Sequence, residues 1–421
     1  MQAGRDGFLG RAAGDPALWA DFWTLCDCGG RLAGTASEAR AMDWAAARLA
    51  AIPGGALRRD PTPYAGWRCN EARLENAATG RALACAPLVG TAFVDGLELE
   101  VLDLGRGAPE DVARAGAAVA GKAVMVRHEF PFASWTIHRR KKLQAAEAAG
   151  AAAFLIVQPE PGVGPVSGSS GRAGGKGIPS LGLSAEAGAC LRDGSRVRIT
   201  IAGEDFPRAM ANALLLELPG RGPGRVVLSA HVDGHPLGES ALDNATGVVA
   251  ALALARAVAP VVAGLPRGLT VALFSAEEWA LAGSKAWLTG LAEAERRAMA
   301  FNLNLDSLCG SPRVTALTSD FPALGPFLRD AARGAGFDLG VHLPLMTNSD
   351  HANFATHGIP ATRLVAGFDE PMSGLRFLLT GADTRVLVAP GELKAATLLA
   401  ATLLWEALTA EEEVMAGLAT R

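Results

Sequence analysis

Side chains that bind metal ions follow three apolar runs of this sequence. Each run has the length and composition of a buried strand. The carboxyl ends of parallel strands meet at one edge of an open α/β sheet, where ligands and active sites lie. Imidazole and carboxylate groups are ligands that zinc accepts, so the sequence predicts a metal centre at this edge. The side chains that stand there are His231, Asp233, Glu277, Glu278 and Asp306.

Asp243 stands where a long apolar helix is expected to begin, a dozen residues after His231. Two divalent ions about 3.5–4 Å apart need a shared carboxylate, and Asp243 is placed to bridge them. One of two adjacent glutamates can then bind an ion while the other acts as general base on a water molecule, whose pKa a zinc ion lowers to about 7. Asp233 is predicted to assist by fixing the tautomer of His231.

Strand-like and helix-like runs alternate from about residue 210 to the end of the sequence. This alternation predicts an α/β fold with a mixed, largely parallel sheet between layers of helices. Helical periodicity also marks residues 17–52. The predicted strands are 226–230, 269–275, 301–305, 314–318 and 361–366, and the predicted helices are 244–258, 279–290, 321–335, 352–357 and 391–409.

The middle of the sequence has a different pattern. Short β-like runs alternate there with glycine-rich loops and one alanine-rich helix at 142–149. We therefore predict a catalytic domain formed by residues 1–84 and 205–421, and a β-rich domain formed by residues 85–204 that is inserted into it.

Composition limits the classes of partner. The chain has 421 residues, 50% of them hydrophobic, and a formal net charge of −4. That balance argues against nucleic acid or an anionic membrane as the main partner. The most basic run, 139–142, is expected to be the solvated face of a helix rather than a binding patch. The apolar run 245–264 contains Arg256 and Pro260, which favours a buried helix over a membrane span.

No apolar segment follows the first charged residues, so no signal peptide is predicted. The six cysteines form no regular framework. We therefore expect reduced cysteines and a cytoplasmic location.

The metal-ligand motifs resemble those of the co-catalytic zinc aminopeptidase and glutamate carboxypeptidase family, the transferrin-receptor-like metallopeptidases. That resemblance implies that His231 and Asp306 hold one zinc ion, Asp243 bridges, Glu278 binds the second ion and Glu277 is the general base. Residues 30–35 are similar to the family's N-terminal motif, and the middle segment resembles a protease-associated domain. The segments that match the metallopeptidase family are 231–233, 242–247, 275–278, 304–306 and 349–351. The segments that match the protease-associated domain are 121–127, 148–156 and 178–181.

The sequence departs from this family at one ligand. The family's second zinc takes a histidine from a C-terminal segment that corresponds to residues 378–384, and Leu379 stands at that position. The resemblance therefore implies one tightly held zinc ion and a second that is weak or absent. His351 is a candidate replacement ligand, with a packing role as the alternative. Nothing in the sequence requires His235 to bind metal.

The predicted function is metal-dependent hydrolysis of peptide or amide bonds by an aminopeptidase-like exopeptidase. The expected partner is a peptide or small amide substrate, and a homo-oligomer is compatible with the sequence. Two alternatives stay open. One is a single-metal amidohydrolase or acyl-transfer enzyme, and the other is a non-catalytic binding protein that lost the second metal ligand.

Overall fold

The computed structural model describes residues 2–172 and 177–420. In these residues the strands are β1 Ala56–Asn76, β2 Arg81–Leu83, β3 Cys85–Pro87, β4 Val94–Asp103, β5 Ala123–Arg127, β6 Ala153–Val157, β7 Ser180–Leu183, β8 Arg196–Leu218, β9 Arg225–His231, β10 Gly268–Phe274, β11 Met299–Leu305, β12 Val314–Leu317, β13 Gly340–His342 and β14 Ala361–Ala366. The α-helices are α1 Gln2–Ala13, α2 Leu18–Cys26, α3 Ala36–Ala50, α4 Pro109–Ala115, α5 Arg139–Ala148, α6 Ala185–Ala189, α7 Thr246–Val262, α8 Ala282–Gly290, α9 Glu293–Arg297, α10 Leu324–Arg333, α11 His351–Thr356, α12 Pro390–Thr409 and α13 Glu412–Leu418.

The centre of the molecule is a mixed, largely parallel sheet flanked by helices, as the sequence predicts. Its strands run in the order β13-β12-β14-β11-β9-β10-β8. The neighbours β14, β11, β9 and β10 are mutually parallel, whereas β8 and β12 pair antiparallel with theirs. Nearly every residue of β9, β10 and β11 is buried, which is why these strands read as continuous apolar runs. Their parallel pairing brings three carboxyl ends to one edge.

Two long antiparallel strands connect the central sheet to the middle segment. β8 has 23 residues and β1 has 21, and they pair along almost their whole length. Of β8, only the short β-like run at residues 196–201 stands out in the sequence, and β1 was not predicted. Pro61, Pro63 and several charged residues interrupt the apolar pattern of β1, and its stability comes from backbone pairing with β8 instead of burial of one face.

Strands β3 to β7, helices α4 to α6 and the first part of β8 form the middle segment. β4, β5, β6 and β7 are parallel neighbours, and β3 and β8 close the two edges antiparallel. This segment has its own apolar cluster, which includes Met125, Leu155 and Ile199.

Helix α7 lies in the interior. Together with the π-helical turn Ala241–Ala245 it is long and apolar enough to cross a membrane, but 78% of its most apolar stretch is buried inside the protein. The helix contacts α1, α2, α12 and the central strands. The apolar run in the sequence is therefore explained by the core of the central domain.

The basic run at the start of α5 differs from expectation. Arg139 and Lys142 are buried, so the prediction of a solvated face is wrong for these two residues. The Lys142 ammonium donates hydrogen bonds to the Glu129 carboxylate at 2.6 Å and to the carbonyls of Arg106 and Arg127 at 2.7 and 2.9 Å. These acceptors offset the cost of burying its charge.

Candidate metal centre

The carboxyl ends of β9, β10 and β11 bring the predicted ligands together. Two groups of three residues each offer one ligand atom, and the atoms of a group lie within 4.8 Å of one another. All members of both groups are buried. The first group is His231, Asp243 and Glu278, and the second is His231, Glu277 and Asp306.

His231 is the residue that the two groups share. Its Nε2 lies 3.1 Å from Oδ1 of Asp243 and 3.7 Å from Oδ1 of Asp306. Its Nδ1 lies 3.0 Å from the backbone carbonyl of Asp233, and 3.6 Å from the carboxylate of that residue. A carbonyl oxygen can only accept, so Nδ1 carries the proton and the lone pair of Nε2 faces Asp243 and Asp306.

Asp233 has a second role that the sequence did not predict. Its two carboxylate oxygens accept hydrogen bonds from the backbone N–H groups of Glu277 and Glu278, both at 3.1 Å. Asp233 thus connects the end of β9 to the segment after β10. The orientation of His231 comes chiefly from the Asp233 carbonyl, since it is closer than the carboxylate.

Orphaned polar atoms test whether this site fits a metal ion. Nε2 of His231 and Oε1 of Glu278 are buried and have no hydrogen-bond partner in the described residues. Buried polar atoms are nearly always paired. Here the unpaired atoms are a nitrogen and a carboxylate oxygen that converge on the same small space, which is the donor set expected of a zinc site. The residues present therefore fit a bound cation.

The charges at the site are not balanced by protein cations alone. Burial, reinforced by the neighbouring carboxylates, raises the pKa values of Glu277 and Glu278 well above the usual range. Burial opposes ionisation of Asp306 as well, but the Arg363 guanidinium, 3.1 Å away, holds the pKa of that carboxyl below its ordinary value. The surplus of buried acidic groups is the condition under which divalent cations bind.

Arg31 fixes the loop that carries the first ligands. Its guanidinium is fully buried and donates hydrogen bonds to the carbonyls of Val232, Glu239 and Ser240 at 2.7, 2.7 and 2.9 Å. These carbonyls lie between His231 and Asp243. The N-terminal motif noted in the sequence therefore contributes to the site through this loop.

The C-terminal segment approaches the site from the other side. Asp383 accepts hydrogen bonds from the backbone N–H groups of Leu242 and Asp243, at 2.8 and 3.2 Å. Leu379 has a φ of +66°, a left-handed conformation that is unfavourable for leucine. Its carbonyl accepts a hydrogen bond from the Ser167 N–H at 2.7 Å. The Leu379 side chain lines the same cavity as Asp243 and Glu278.

Two further histidines, His351 and His235, lie near the candidate ligands. His351 is buried in the first turn of α11, where Arg363 and Asp306 are its charged neighbours. Like His235, it belongs to neither group of candidate ligands among the described residues, and its ring nitrogens are buried without a hydrogen-bond partner there. Its role as a replacement ligand or as a packing residue stays a prediction. His235, in contrast, lies beside Glu278, with 2.7 Å between Nε2 and Oε1.

A cavity of about 80 Å³ opens onto the ligands. The middle segment forms part of its wall through Phe132, Arg139 and Arg140. The guanidinium of Arg363 lies over the ring of Phe132 at 4.8 Å, and that of Arg140 donates to the Thr347 carbonyl at 2.9 Å. The middle segment thus covers the edge of the central sheet and narrows access to it.

Sequence reasoning gave His235 no ligand role and missed Arg139. His235 stands two positions after the recognised His-x-Asp motif, and only the fold shows that the loop turns back toward Glu278. Arg139 stands in a run of four basic residues, so its burial had no local signal. Its position four residues after a predicted ligand is the one sequence feature that draws attention to His235.

Comparisons with known proteins agree with this geometry. Residues 214–401 match the model of peptidase family M28, and residues 84–191 match the PA domain. The family resemblance predicted from the sequence is thereby confirmed: the chain carries a family M28 peptidase domain together with a PA domain.

Two curated relatives have related sequences. Aminopeptidase YwaD of Bacillus subtilis is 27% identical over 282 residues, which cover 65% of this chain and 61% of that protein. Leupeptin-inactivating enzyme 1 of Streptomyces exfoliatus is 30% identical over 158 residues, which cover 37% of this chain and 36% of that protein. The chain thus matches less than two thirds of the length of either relative.

Solved structures share the fold over nearly the whole chain. BSAP, a zinc aminopeptidase from Bacillus subtilis, superposes with a TM-score of 0.75 at 24% identity and covers 94% of this chain and 95% of its own. A peptidase M28 precursor from Shewanella amazonensis superposes with a TM-score of 0.80 at 20% identity and covers 97% and 98%. At these identities the likeness establishes the fold.

Proposed function

We propose that this protein is a zinc-dependent exopeptidase of the aminopeptidase type. The observation that carries the proposal is the pair of ligand groups that share His231 at the carboxyl ends of parallel strands. The match to peptidase family M28 and the relation to aminopeptidase YwaD support the same reaction class. Retention of Glu277 beside the ligands argues for catalysis over a binding role.

His231, Asp243 and Asp306, the set that the family resemblance implies, would hold one zinc ion tightly, and the carboxylates of Asp243 and Asp306 lie 3.1 and 3.7 Å from Nε2 of His231. When bound, zinc supplies electrophilic polarisation of the substrate carbonyl and lowers the pKa of water at the site. Glu277 is the general base in this proposal. Its carboxylate takes a proton from the attacking water and passes it to the leaving amine, while Asp233 fixes the backbone from which Glu277 projects.

The substrate is proposed to be a peptide end or a small amide. The cavity above the ligands is small, and the middle segment closes one side of it. An internal stretch of a folded protein would have to unfold to enter, whereas a chain end or a single amide fits. The six cysteines are all unpaired, which supports a reducing compartment such as the cytoplasm as the proposed location.

Product analysis on matched peptides tests the proposal. We expect the zinc-loaded protein to release the first residue of a short peptide with a free amino terminus, and to leave the same peptide with an acetylated terminus intact. Mass spectrometry of the products reads both outcomes. Release of the C-terminal residue, or equal cleavage of both peptides, would contradict the aminopeptidase assignment.

A further inference from the structure

His235 is a buried histidine whose ring nitrogens make no hydrogen bond to any described residue. Only 3% of the residue is exposed, and neither ring nitrogen has a hydrogen-bond partner in the described residues. Nε2 nevertheless lies 2.7 Å from Oε1 of Glu278, which is itself buried and without a hydrogen bond. The angles at this contact are not those of a hydrogen bond. A neutral imidazole has a lone pair on one ring nitrogen, and no described residue donates a hydrogen bond to it.

The backbone around His235 is fixed, so this position of the ring follows from the fold. The His235 N–H donates to the Ser240 hydroxyl at 2.9 Å. Gly30 packs against the His235 carbonyl so closely that a Cβ at Gly30 would lie 1.9 Å from the oxygen. Arg31 holds the rest of the loop. The main chain uses its polar groups for structure, while the imidazole is left free for a ligand.

His235 can supply the nitrogen ligand that is missing at Leu379. Glu278 and Asp243 are the two remaining protein ligands predicted for the second ion, and Leu379 offers no donor atom. The Glu278 carboxylate, 2.7 Å from Nε2 of His235, belongs with Asp243 to one group whose ligand atoms lie within 4.8 Å of one another, and His235 adjoins this group without being one of its members. An imidazole beside these two carboxylates restores a set of one nitrogen and two oxygen donors, and zinc binds such sets.

We propose that His235 is a ligand of a second metal ion, together with Asp243 and Glu278, in place of the imidazole that the C-terminal segment lacks. This inference rests on the proposed function, because it requires the first ion and the bridging role of Asp243. It replaces the expectation of a weak or absent second ion with a complete second site, built from the loop after β9 instead of the segment around Leu379.

Zinc titration of the intact, chelator-stripped protein tests the proposal. We expect the wild type to bind two ions. His235→Ala should keep the first and bind the second at least 10–100-fold more weakly, since even the loss of a group that only supports a metal ligand has an effect of that size. His357→Ala, which removes an exposed histidine, is the matched control and should bind as the wild type does.

A second variant addresses the geometry directly. In the His235→Ala background, Leu379→His should recover tight binding of the second ion, because the Leu379 side chain lines the same cavity as Glu278. X-ray absorption spectroscopy of the wild type with two bound zinc ions tests the ligand without any variant. We expect an average of one imidazole ligand per zinc ion, from His231 and His235.

The outcomes separate this inference from the proposed function. A wild type that binds one ion, with an unchanged constant in His235→Ala, overturns the role of His235 and leaves the first site in place. Two ions with only half an imidazole per zinc also overturn it. A wild type that binds no zinc contradicts the proposed function itself. If His235→Ala does not fold, the absorption measurement on the wild type decides.

Discussion

Glu277 and Glu278 are neighbours in sequence but have different surroundings. Both backbone N–H groups are held by Asp233, so the two side chains leave a fixed stretch of chain. Glu278 faces His235 and the group that contains Asp243, whereas Glu277 belongs to the group that contains Asp306. The two carboxylates thus belong to different groups of candidate ligands, and the proposed function assigns metal binding to Glu278 and proton transfer to Glu277.

Replacing Glu277 by Gln should remove hydrolysis and leave zinc content unchanged. The amide keeps the shape of the side chain but cannot accept a proton from water, and groups in this role contribute about 10²–10⁴-fold to the rate. Steady-state kinetics and metal analysis on the same sample measure the two effects. Asp243→Asn is the comparison and should lower zinc content. Activity close to wild type in Glu277→Gln would show that another group is the base.

At the scale of elements, the loop between β9 and α7 is the part that most needs support. It follows His231, the last residue of β9, and carries His235 and Asp243, yet it has no regular structure before the turn at Ala241–Ala245. Its carbonyls are satisfied by Arg31, and its last N–H groups by Asp383. Side chains distant in sequence thus take the place of a strand partner.

Arg31→Met should destabilise the protein and weaken zinc binding together. The substitution leaves several buried carbonyls without donors, and one such group costs about 1–3 kcal/mol. We expect a loss of about 2–4 kcal/mol in the free energy of unfolding, measured by denaturant titration of the zinc-free protein. Arg40→Met, at an exposed position, should change stability little. Equal stability of the two variants would contradict the role given to Arg31.

The burial of His128, directly after β5, is expected to make the stability of the protein depend on pH. Burial, with a further contribution from nearby Arg139 and Lys142, lowers the pKa of His128 to about 3. In the unfolded chain the pKa is about 6.5. Below that value the unfolded state takes up a proton that the folded state does not, so the free energy of unfolding falls as the pH decreases.

The contribution of His128 can be measured by comparing its pH profile with that of a glutamine variant. Denaturant titrations of wild type and His128→Gln between about pH 6 and pH 4 should differ in slope by up to about 1 kcal/mol per pH unit, with the wild type steeper. His357→Gln, at an exposed position, is the control. Parallel profiles for all three proteins would contradict the buried, neutral state of His128.

Whether an element could be predicted from the sequence depends on whether the contacts that stabilise it leave a local pattern. β9, β10 and β11 are buried on both faces, so their sequences are apolar throughout and their ends mark the site. β1 and the distal half of β8 stabilise each other across more than a hundred residues of sequence, so neither has a local pattern. His235 belongs to the same category, because its proximity to Glu278 depends on a loop path that Gly30 and Arg31 determine.

At the scale of the whole molecule, the middle segment and the central sheet form one cavity. The segment contributes Phe132, Arg139 and Arg140 to the wall, and the central domain contributes the ligands. Arg139 is buried, and its Nε donates to the Ser169 carbonyl at 2.9 Å. The proposed limit on substrate size would therefore be a property of the assembled molecule, since both parts line the cavity.

The enclosed site predicts that cleavage proceeds from chain ends. A folded protein incubated with the zinc-loaded enzyme should yield no internal fragments, whereas short peptides should shorten one residue at a time. Time-resolved mass spectrometry distinguishes the two patterns, with heat-unfolded protein as the matched substrate. Internal fragments at early times would mean that the middle segment does not restrict access.

The central claim is that hydrolysis depends on a metal ion held at the ends of β9, β10 and β11. The most direct test is the rate of hydrolysis of an aminoacyl p-nitroanilide by chelator-stripped protein as zinc is added back. We predict that the wild type has no activity without zinc and that its rate rises with the amount of bound zinc. In Glu277→Gln, the rate should stay at the baseline although the variant binds the same amount of zinc. Full activity in the stripped protein, or none in protein shown to hold zinc, would contradict the account.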